Sequence, residues 1–346
     1  MHAITVPRAR FTNRPHVPVV LLAAAMAVIT VVMAMALDLP LRDPDGLAGP
    51  AYVRLPAIIA LMFALDVLPR ALVRSRHGAR FGAAAREVVA ERWSRPRFVL
   101  VLTGLVSFYV IYVAYRNLKS FLPFARDGLA DPGLLDLDRA MAFGQDPANV
   151  LHELLGTGVF AHVLSVVYVF FLVFVPISLG AALVWSRDLR SGYWWVTALC
   201  LNWILGALSY YVLPSLGPVF VLPELFADLP VTGVSELQGS LQAHRLEVLR
   251  DPFATTEVQG IAGFASLHVA IVFSAALLAQ LLRLARVVRW AMWAFLLTTV
   301  LATIYFGWHY LVDDLAGFLI GGLSVWLGAL ATGHAPRLRR PARAYA

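Results

Sequence analysis

The feature that most restricts the fold of this chain is a series of long apolar runs with almost no charge. The first extends from Val17 to Leu37 without a charged residue, and about 20 residues of helix suffice to cross a bilayer. Further runs lie at about 53–72, 98–115, 161–185, 193–213, 264–283, 288–306 and 311–331. Only 14% of the 346 residues are charged, against roughly 25% in a soluble domain. We therefore predict an all-α, polytopic membrane bundle of about eight transmembrane helices.

The basic residues predict how the bundle is oriented. If the N-terminus is cytoplasmic and the eight spans alternate, the short cytoplasmic connections receive most of the 28 Lys and Arg residues, as the positive-inside rule expects. The segment 73–97 is the most basic, and we expect an amphipathic helix on the membrane surface there. Both termini are then cytoplasmic in a cell-membrane protein. The basic residues form no single stripe, so we expect no nucleic-acid partner.

Two polar stretches are expected to lie outside the spans. Residues 124–160 are too polar to cross the bilayer and are predicted to be interfacial or re-entrant. Residues 214–262 are predicted to form a long polar loop on the outer side, which either covers the site as a lid or is disordered.

A histidine and an acid stand four residues apart at the start of the last span, at His309 and Asp313. Residues at i and i+4 share a helix face, so the Asp313 carboxylate can take one ring N–H of His309 and leave the other nitrogen free. Asp314, one residue further on, is expected to point away as a cap or surface residue. Ionisable groups at membrane depth are usually functional, and we expect this pair to lie at the outer face.

A second histidine, His268, opens the sixth predicted span directly after Ser266 and Leu267. Helix N-termini offer free N–H groups that suit phosphate oxygens, and a histidine there can donate a proton to a leaving group. The competing interpretation is a structural histidine bonded to a backbone carbonyl. Two histidines at the same predicted depth, with Asp313 beside His309, favour a functional interpretation.

Two cations follow the third span at the same predicted depth. Arg116 and Lys119 lie at i and i+3 and share a helix face. Arginine binds phosphate with two parallel hydrogen bonds, and lysine supplies a point charge. The alternative is that both side chains extend to the membrane surface, although basic residues are less expected on the outer side. We predict that this pair binds phosphate.

Together these residues suit phosphoryl transfer through a covalent intermediate. His309 would attack phosphorus, Asp313 would orient its ring, and His268 would protonate the leaving oxygen. His268, His309 and Asp313 could also hold zinc as two histidines and a carboxylate, but the H-E-x-x-H pairing is absent. No metal or other cofactor is therefore expected.

The residues around His268 and His309 carry a family resemblance. The pattern Tyr305-x-x-x-His309-Tyr310-x-x-Asp313-x-x-Ala316-Gly317 resembles the third signature of the type 2 phosphatidic acid phosphatase superfamily, and Ser266-Leu267-His268 resembles the second. The resemblance implies a six-helix phosphatase-like core at 98–331, with Ser266 among the phosphate-binding residues. The segment 1–97 then holds two extra spans and the basic segment, and 332–346 forms a basic cytoplasmic tail.

The signatures depart from the phosphatase pattern at two places. Ala302 and Thr303 stand where the family usually has Ser-Arg, and Leu267 replaces the usual glycine of the second signature. Both departures are similar to the inositol phosphorylceramide synthase branch, which transfers a phospho-headgroup between lipids. Arg245 or Arg250 in the long loop could replace the missing arginine, or could be solvated loop charges.

The expected function is headgroup transfer from a phospholipid or lipid phosphate at the outer face, through a phosphohistidine. The first alternative is a lipid phosphate phosphatase that uses water as the acceptor. The second is a lipid transporter or flippase, for which Asp66 and Arg70 are the one charged pair well inside a predicted span. The donor lipid, the acceptor and the oligomeric state stay open.

Overall fold

The computed structural model describes residues 14–45, 51–76 and 80–334. These residues form helices and no strands, and seven of the helices are long and apolar enough to cross a membrane. The predicted all-α membrane bundle is confirmed. Residues 1–13 and residues 335–346 of the predicted basic tail lie outside the described residues.

The helices are α1 (Val17–Ala36), α2 (Ala51–Ser75), α3 (Phe81–Arg92), α4 (Arg95–Ala125), α5 (Asp131–Met141), α6 (Pro147–Leu155), α7 (Val159–Leu179, continued by a π-helix at Gly180–Trp185), α8 (Leu189–Val212), α9 (Pro218–Val221), α10 (Gly233–Arg250), α11 (Leu267–Leu281), α12 (Arg286–Tyr305) and α13 (Leu311–Thr332).

The candidate spans among the described helices are α1, α2, α4, α7 with its π-helix, α8, α12 and α13. The sixth predicted span is shorter than expected, because α11 has 15 residues and is about 22 Å long at 1.5 Å per residue. The chain before it, 259–266, is non-helical and mostly buried. The Ser266 hydroxyl then caps α11 by accepting from the backbone N–H of Val269 at 3.4 Å.

The bundle is built around α8, which packs against α4, α11 and α13. Its aromatic side chains, such as Tyr193 and Tyr210, are almost fully buried. Large apolar side chains on α1 and α2, including Leu21, Val28 and Leu61, instead face outward. An apolar exterior is what a lipid environment requires of a helix bundle, because the surrounding solvent is itself apolar.

The helices α11 and α13 approach closely because glycines lie between them. A Cβ atom at Gly317 would lie 2.6 Å from the Ser266 carbonyl oxygen, and one at Gly321 would lie 2.5 Å from the Ala270 carbonyl oxygen. Small residues at such contacts let two membrane helices pack backbone to backbone. The N-terminus of α11 is thereby held against the first turns of α13.

One end of the bundle, called here the His309 end, gathers the segments that were not predicted to span. Residues 124–160 form the short helices α5 and α6 there, and each helix has a proline in its first turn. The prediction of a structureless loop at 214–262 is wrong. That segment contains the 18-residue helix α10, which begins at a reciprocal cap between Thr232 and Ser235.

The opposite end, called here the Asp66 end, carries the basic segment 73–97. Its described part forms the end of α2, all of α3 and the start of α4. Ala84 and Val88 of α3 are buried, and α3 packs on α2. Asp66, within α2, accepts hydrogen bonds from Arg70, Arg92 and Trp93, so the pair singled out in the sequence belongs to a larger ion-pair cluster.

Candidate active site

The two predicted histidines lie together at the His309 end. His268 is on the first turn of α11, and His309 is in the turn directly before α13. Their ring centroids are 6.2 Å apart, and His309 is only 6% exposed. The backbone N–H of Ser266 donates to the Asp313 carbonyl oxygen at 3.0 Å. This bond ties the two helix starts together and fixes the separation of the rings.

Asp313 is placed between a helix cap and the ring of His309. Its Oδ2 accepts from the backbone N–H of Tyr310 at 3.0 Å, which is the bond that an acid at the third helical position makes to the capping residue. The same oxygen lies 3.4 Å from His309 Nδ1, longer than a well-formed N–H···O bond. The predicted i, i+4 pair is therefore formed, and the Asp313 carboxylate faces Nδ1.

Aromatic side chains surround both histidines. The His268 ring stacks on Tyr168 with centroids 4.4 Å apart, and its other neighbour is Phe171 at 4.1 Å. Tyr168 in turn stacks on Trp308 at 5.3 Å and an interplanar angle of 3°. These rings hold the His268 imidazole in one orientation and exclude water from the space beside His309.

Burial controls the acid–base state of His309. The loss of solvent lowers the pKa of His309 to about 4, while the nearby Asp314 carboxylate raises it and the Lys119 ammonium lowers it. The ring of His309 is therefore neutral at physiological pH, and its nitrogen lone pair is available.

Of the two predicted phosphate-binding cations, only Lys119 faces the histidines. Its Nζ lies 5.0 Å from the Tyr210 ring centroid, and its charge acts on both His268 and His309. The side-chain amide of Gln259 donates to the Lys119 carbonyl oxygen at 2.7 Å. This bond fastens the segment before α11 to α4, so that Lys119 keeps its position beside the site.

The side-chain contacts of Arg116 lead away from the two histidines. Its guanidinium donates to the Tyr112 hydroxyl at 3.3 Å and lies over the same ring at 6.0 Å. Tyr112 donates onward to Asp45 at 2.9 Å. Arg116 is thus one helix turn from Lys119 and is held toward the loop after α1.

Two acids of α5, which sequence reasoning did not assign to the site, hold the backbone around it. Asp131 accepts from the backbone N–H groups of Leu216 and Gly217 and from the Tyr310 hydroxyl at 3.0 Å. Asp138 accepts from the N–H of Leu311 at 2.9 Å and caps α13 from a distant helix. Burial raises the pKa of Asp138 to about 6, against the opposing effect of these N–H bonds.

The expectation that Asp314 is a cap or surface residue is wrong. Asp314 is 2% exposed, and its Oδ2 accepts a hydrogen bond from the Thr303 hydroxyl at 2.9 Å. The buried Ser266 hydroxyl also lies within hydrogen-bonding reach of this carboxylate. Thr303 thus occupies the position of the family's arginine and bonds an acid. The acidic pair 313–314 was visible in the sequence, but helix geometry alone placed Asp314 outside.

Several buried polar atoms of this cluster have no hydrogen-bond partner among the described residues. They are His268 Nε2, His309 Nδ1, Asp313 Oδ1 and Asp314 Oδ1. Within residues 14–45, 51–76 and 80–334, no group of three or more His, Cys, Asp or Glu side chains is arranged to hold a metal ion. Unsatisfied buried groups are uncommon in proteins and often mark places where a ligand or reacting group belongs.

Comparison with known families identifies the chain. A family model described as the PAP2 superfamily matches residues 132–327, more than half of the 346 residues. The matched segment contains His268, His309 and Asp313. It begins after the end of α4, so Lys119 lies outside it. Curated proteins and solved structures gave no match. The chain therefore belongs to the PAP2 superfamily and is a membrane-embedded enzyme of the lipid phosphatase and phosphotransferase type.

Proposed function

We propose that this enzyme transfers a phospho-headgroup between a phospholipid and an alcohol, through a phosphohistidine at His309. The observation that carries the proposal is the buried, neutral His309. Its Nδ1 faces Asp313 at 3.4 Å, and its ring centre lies 6.2 Å from that of His268. This spacing brings both rings within reach of one substrate phosphate.

In the first half-reaction, His309 Nε2 attacks the phosphorus of the donor lipid in line with the leaving oxygen. The N–P bond forms as the P–O bond breaks, and protonated His268 gives its proton to the departing oxygen. The ring of His309 gains positive charge, which the Asp313 carboxylate stabilises. Lys119 supplies positive charge to the phosphoryl oxygens. We assign the catalytic roles to His309, Asp313 and His268.

The second half-reaction reverses these roles. Neutral His268 takes the proton of the acceptor hydroxyl, whose oxygen attacks phosphorus as the N–P bond breaks. His309 leaves as a neutral ring, and His268 is again protonated. We assign Ser266 to the phosphate end of the substrate, from the α11 N-terminus. Arg116 lies one turn before Lys119 and contributes positive charge at longer range, because its guanidinium is held by Tyr112.

Two features support transfer over hydrolysis. Thr303 replaces the arginine of the phosphatase signature and bonds Asp314 at 2.9 Å, and the aromatic side chains around His268 restrict water. The departures at Thr303 and Leu267 are also similar to the inositol phosphorylceramide synthase branch. Hydrolysis is the alternative that membership of a phosphatase superfamily favours, and it differs only in the acceptor.

We also propose that the site faces the outside of the cell membrane and that both termini are cytoplasmic. The Asp66 end carries Arg74, Arg92, Arg97 and Arg190 among its described basic residues, and the positive-inside rule favours a cytoplasmic position for such an end. A cysteine-labelling experiment would test this orientation. Cysteine introduced at Leu154, which is exposed at the His309 end, should react with an impermeant reagent on intact cells. The same reagent should not reach Ser75 after its replacement by cysteine.

The activity test compares wild type with His309→Ala in lipid nanodiscs that contain phosphatidic acid, phosphatidylglycerol or phosphatidylinositol. Phosphate release and headgroup transfer to added alcohols are measured by mass spectrometry, and labelled water distinguishes the two acceptors. His162→Ala is the matched control, because His162 is exposed near the same end. The proposal predicts products with wild type and His162→Ala and none with His309→Ala. Equal activity of all three proteins would overturn it.

A further inference from the structure

A cavity of about 270 Å³ opens at the His309 end, beside the proposed active site. It lies between the end of α4, the turn after α8 and the C-terminal half of α10. Its lining includes Leu122, Arg126, Ser215, Arg245, Leu249 and Ile261. Drug-sized pockets usually occupy about 300–1,000 Å³, so this cavity suits a small headgroup and is too small for an acyl chain.

Two guanidinium groups border the cavity without a protein partner. Neither the Arg126 guanidinium nor the Arg245 guanidinium makes a hydrogen bond or ion pair with another described residue. Arg245 is partly buried, and that burial lowers its pKa while the more distant charge of Asp131 raises it. Asp127 also lines the cavity, so its walls carry one net positive charge. A partly buried guanidinium without a counterion favours an anion, and its planar geometry matches phosphate.

The cavity lies next to the catalytic cluster along α4. Lys119 and Leu122 lie at i and i+3 on one face of α4, and Arg126 is the capping residue directly after that helix. At 1.5 Å per residue, Arg126 is about 10 Å beyond Lys119 along the axis. A ligand whose reacting phosphorus lies between Lys119 and His309 can therefore extend a second group toward Arg126.

The floor of the cavity also adjoins Asp313. The Ser215 hydroxyl accepts from the backbone N–H of Phe264 at 2.8 Å. A Cβ atom at Gly263 would lie 2.7 Å from that hydroxyl and 3.4 Å from Asp313 Oδ2. One layer of backbone at Gly263 thus separates the cavity from the acid that faces His309.

We propose that this cavity is a headgroup subsite that binds a second phosphate, one that is not transferred. The inference rests on the proposed function, because it assigns the substrate class: a polar group of glycerol size that carries a phosphate besides the reacting one. The group could belong to a phospholipid headgroup or to a free alcohol phosphate that serves as acceptor, and the chemistry of recognition is the same. Arg245 and Arg126 bind the phosphate.

The surroundings of Arg245 differ from those of Arg250, the other candidate cation of α10. Arg250 is the last residue of α10, is exposed and does not line the cavity. Both residues are on one helix and have the same charge, so Arg250 provides a matched control. A general electrostatic attraction of α10 for anions would depend on both residues equally, whereas the subsite depends on Arg245.

The test is a calorimetric titration of glycerol 3-phosphate into the full chain in phosphatidylcholine nanodiscs, in a His309→Ala background. The His309→Ala protein cannot transfer a phosphoryl group, so the titration measures binding alone. Failure of the proposed function would appear in a different experiment, as unchanged activity of His309→Ala. We expect glycerol 3-phosphate to bind, glycerol not to bind, Arg245→Gln to weaken binding about tenfold, and Arg250→Gln to leave it unchanged.

The subsite is overturned if glycerol 3-phosphate does not bind, or if Arg245→Gln and Arg250→Gln behave alike. If Arg245→Gln does not fold, Arg126→Gln decides, because Arg126 is exposed and its replacement should weaken binding severalfold. Nanodiscs with added phosphatidylglycerol identify the source of the phosphate. A weaker apparent affinity for glycerol 3-phosphate there assigns the subsite to a lipid headgroup, and an unchanged affinity assigns it to a free alcohol phosphate.

Discussion

Buried ionisable groups lie at both ends of this bundle, but their surroundings differ. At the Asp66 end, the carboxylate of Asp66 is fully buried, and both of its oxygens accept hydrogen bonds, from Arg70, Arg92 and Trp93. At the His309 end, His309 and Asp313 are equally enclosed, yet each keeps a polar atom without a partner among the described residues. Complete pairing of a buried carboxylate indicates a structural role, and incomplete pairing indicates a place for substrate.

The difference has an energetic basis. A buried acid costs several kcal/mol to desolvate, and good geometry with several donors offsets that cost. In a cluster with unpaired atoms, part of this desolvation cost is not offset within the protein. Hydrogen bonds to a bound substrate can offset it instead. The two ends should therefore respond in opposite ways to substitution: stability should fall at the Asp66 end, and activity should fall at the His309 end.

The largest effect is expected for Asp313→Asn. The amide oxygen can still accept from the Tyr310 N–H, so the cap of α13 is kept, but the negative charge beside His309 is lost. We expect kcat to fall about 10³-fold or more with little change in the thermal midpoint. Asp228→Asn, a change in an exposed acid before α10, serves as the control. A large loss of stability in Asp313→Asn would make the residue structural and remove the contrast.

The converse change is Asp66→Ala. It leaves the half-buried Arg92 without its acid and should lower the free energy of unfolding by about 3 kcal/mol, since breaking a buried pair is strongly destabilising. The activity of the molecules that stay folded should not change. Denaturant titration in detergent gives the stability, and specific activity is measured on the folded fraction. Loss of kcat at unchanged stability would contradict a structural role for the Asp66 cluster.

The pH dependence of kcat/KM tests the state of His309. Because burial lowers the pKa of His309 to about 4, the nucleophile stays deprotonated down to that pH. The acid limb should lie near pH 4, about two units below that of a solvent-exposed histidine. A wild-type limb near pH 6.5 would mean that the site is open to water.

The smallest effect is expected for Thr303→Val, which deletes the hydroxyl that bonds Asp314 at 2.9 Å and keeps the shape of the side chain. Hydrogen bonds to charged groups contribute about 1.5–3 kcal/mol, so activity should fall about tenfold as Asp314 loses its position. Thr303→Ser restores the hydroxyl and should retain activity. Equal activity in the two variants would show that Asp314 needs no support from residue 303.

The sequence predicted those parts of the site that depend on local spacing or on the membrane. The i, i+4 relation placed Asp313 beside His309, and the alternation of spans placed His268 and Lys119 at the same end. It did not predict the roles of Asp131 and Asp138, whose partners lie 85 to 179 positions away in the chain. Helix periodicity carries no information about such contacts.

The errors have a common physical cause. Asp314 was predicted to lie outside the site because position i+5 is off the helix face of His309. However, Thr303 of α12 lies against that other face of α13 and donates a hydrogen bond to Asp314. The segment 214–262 was predicted to be a loop because it is polar, although α10 needs only a capping box and a few buried positions such as Val234 and Val248. In the same way, only the packing of α10 distinguishes Arg245 from Arg250.

The central claim is that His309 becomes covalently phosphorylated, and rapid quenching under alkaline conditions tests it most directly. Phosphohistidine is stable to base and labile to acid, so mass spectrometry of the quenched wild-type enzyme with its phospholipid substrate can locate the group. The account predicts an acid-labile phosphoryl group on His309 that is absent from His309→Ala. Turnover by wild type with no label on His309, or an equal label in His309→Ala, would contradict it.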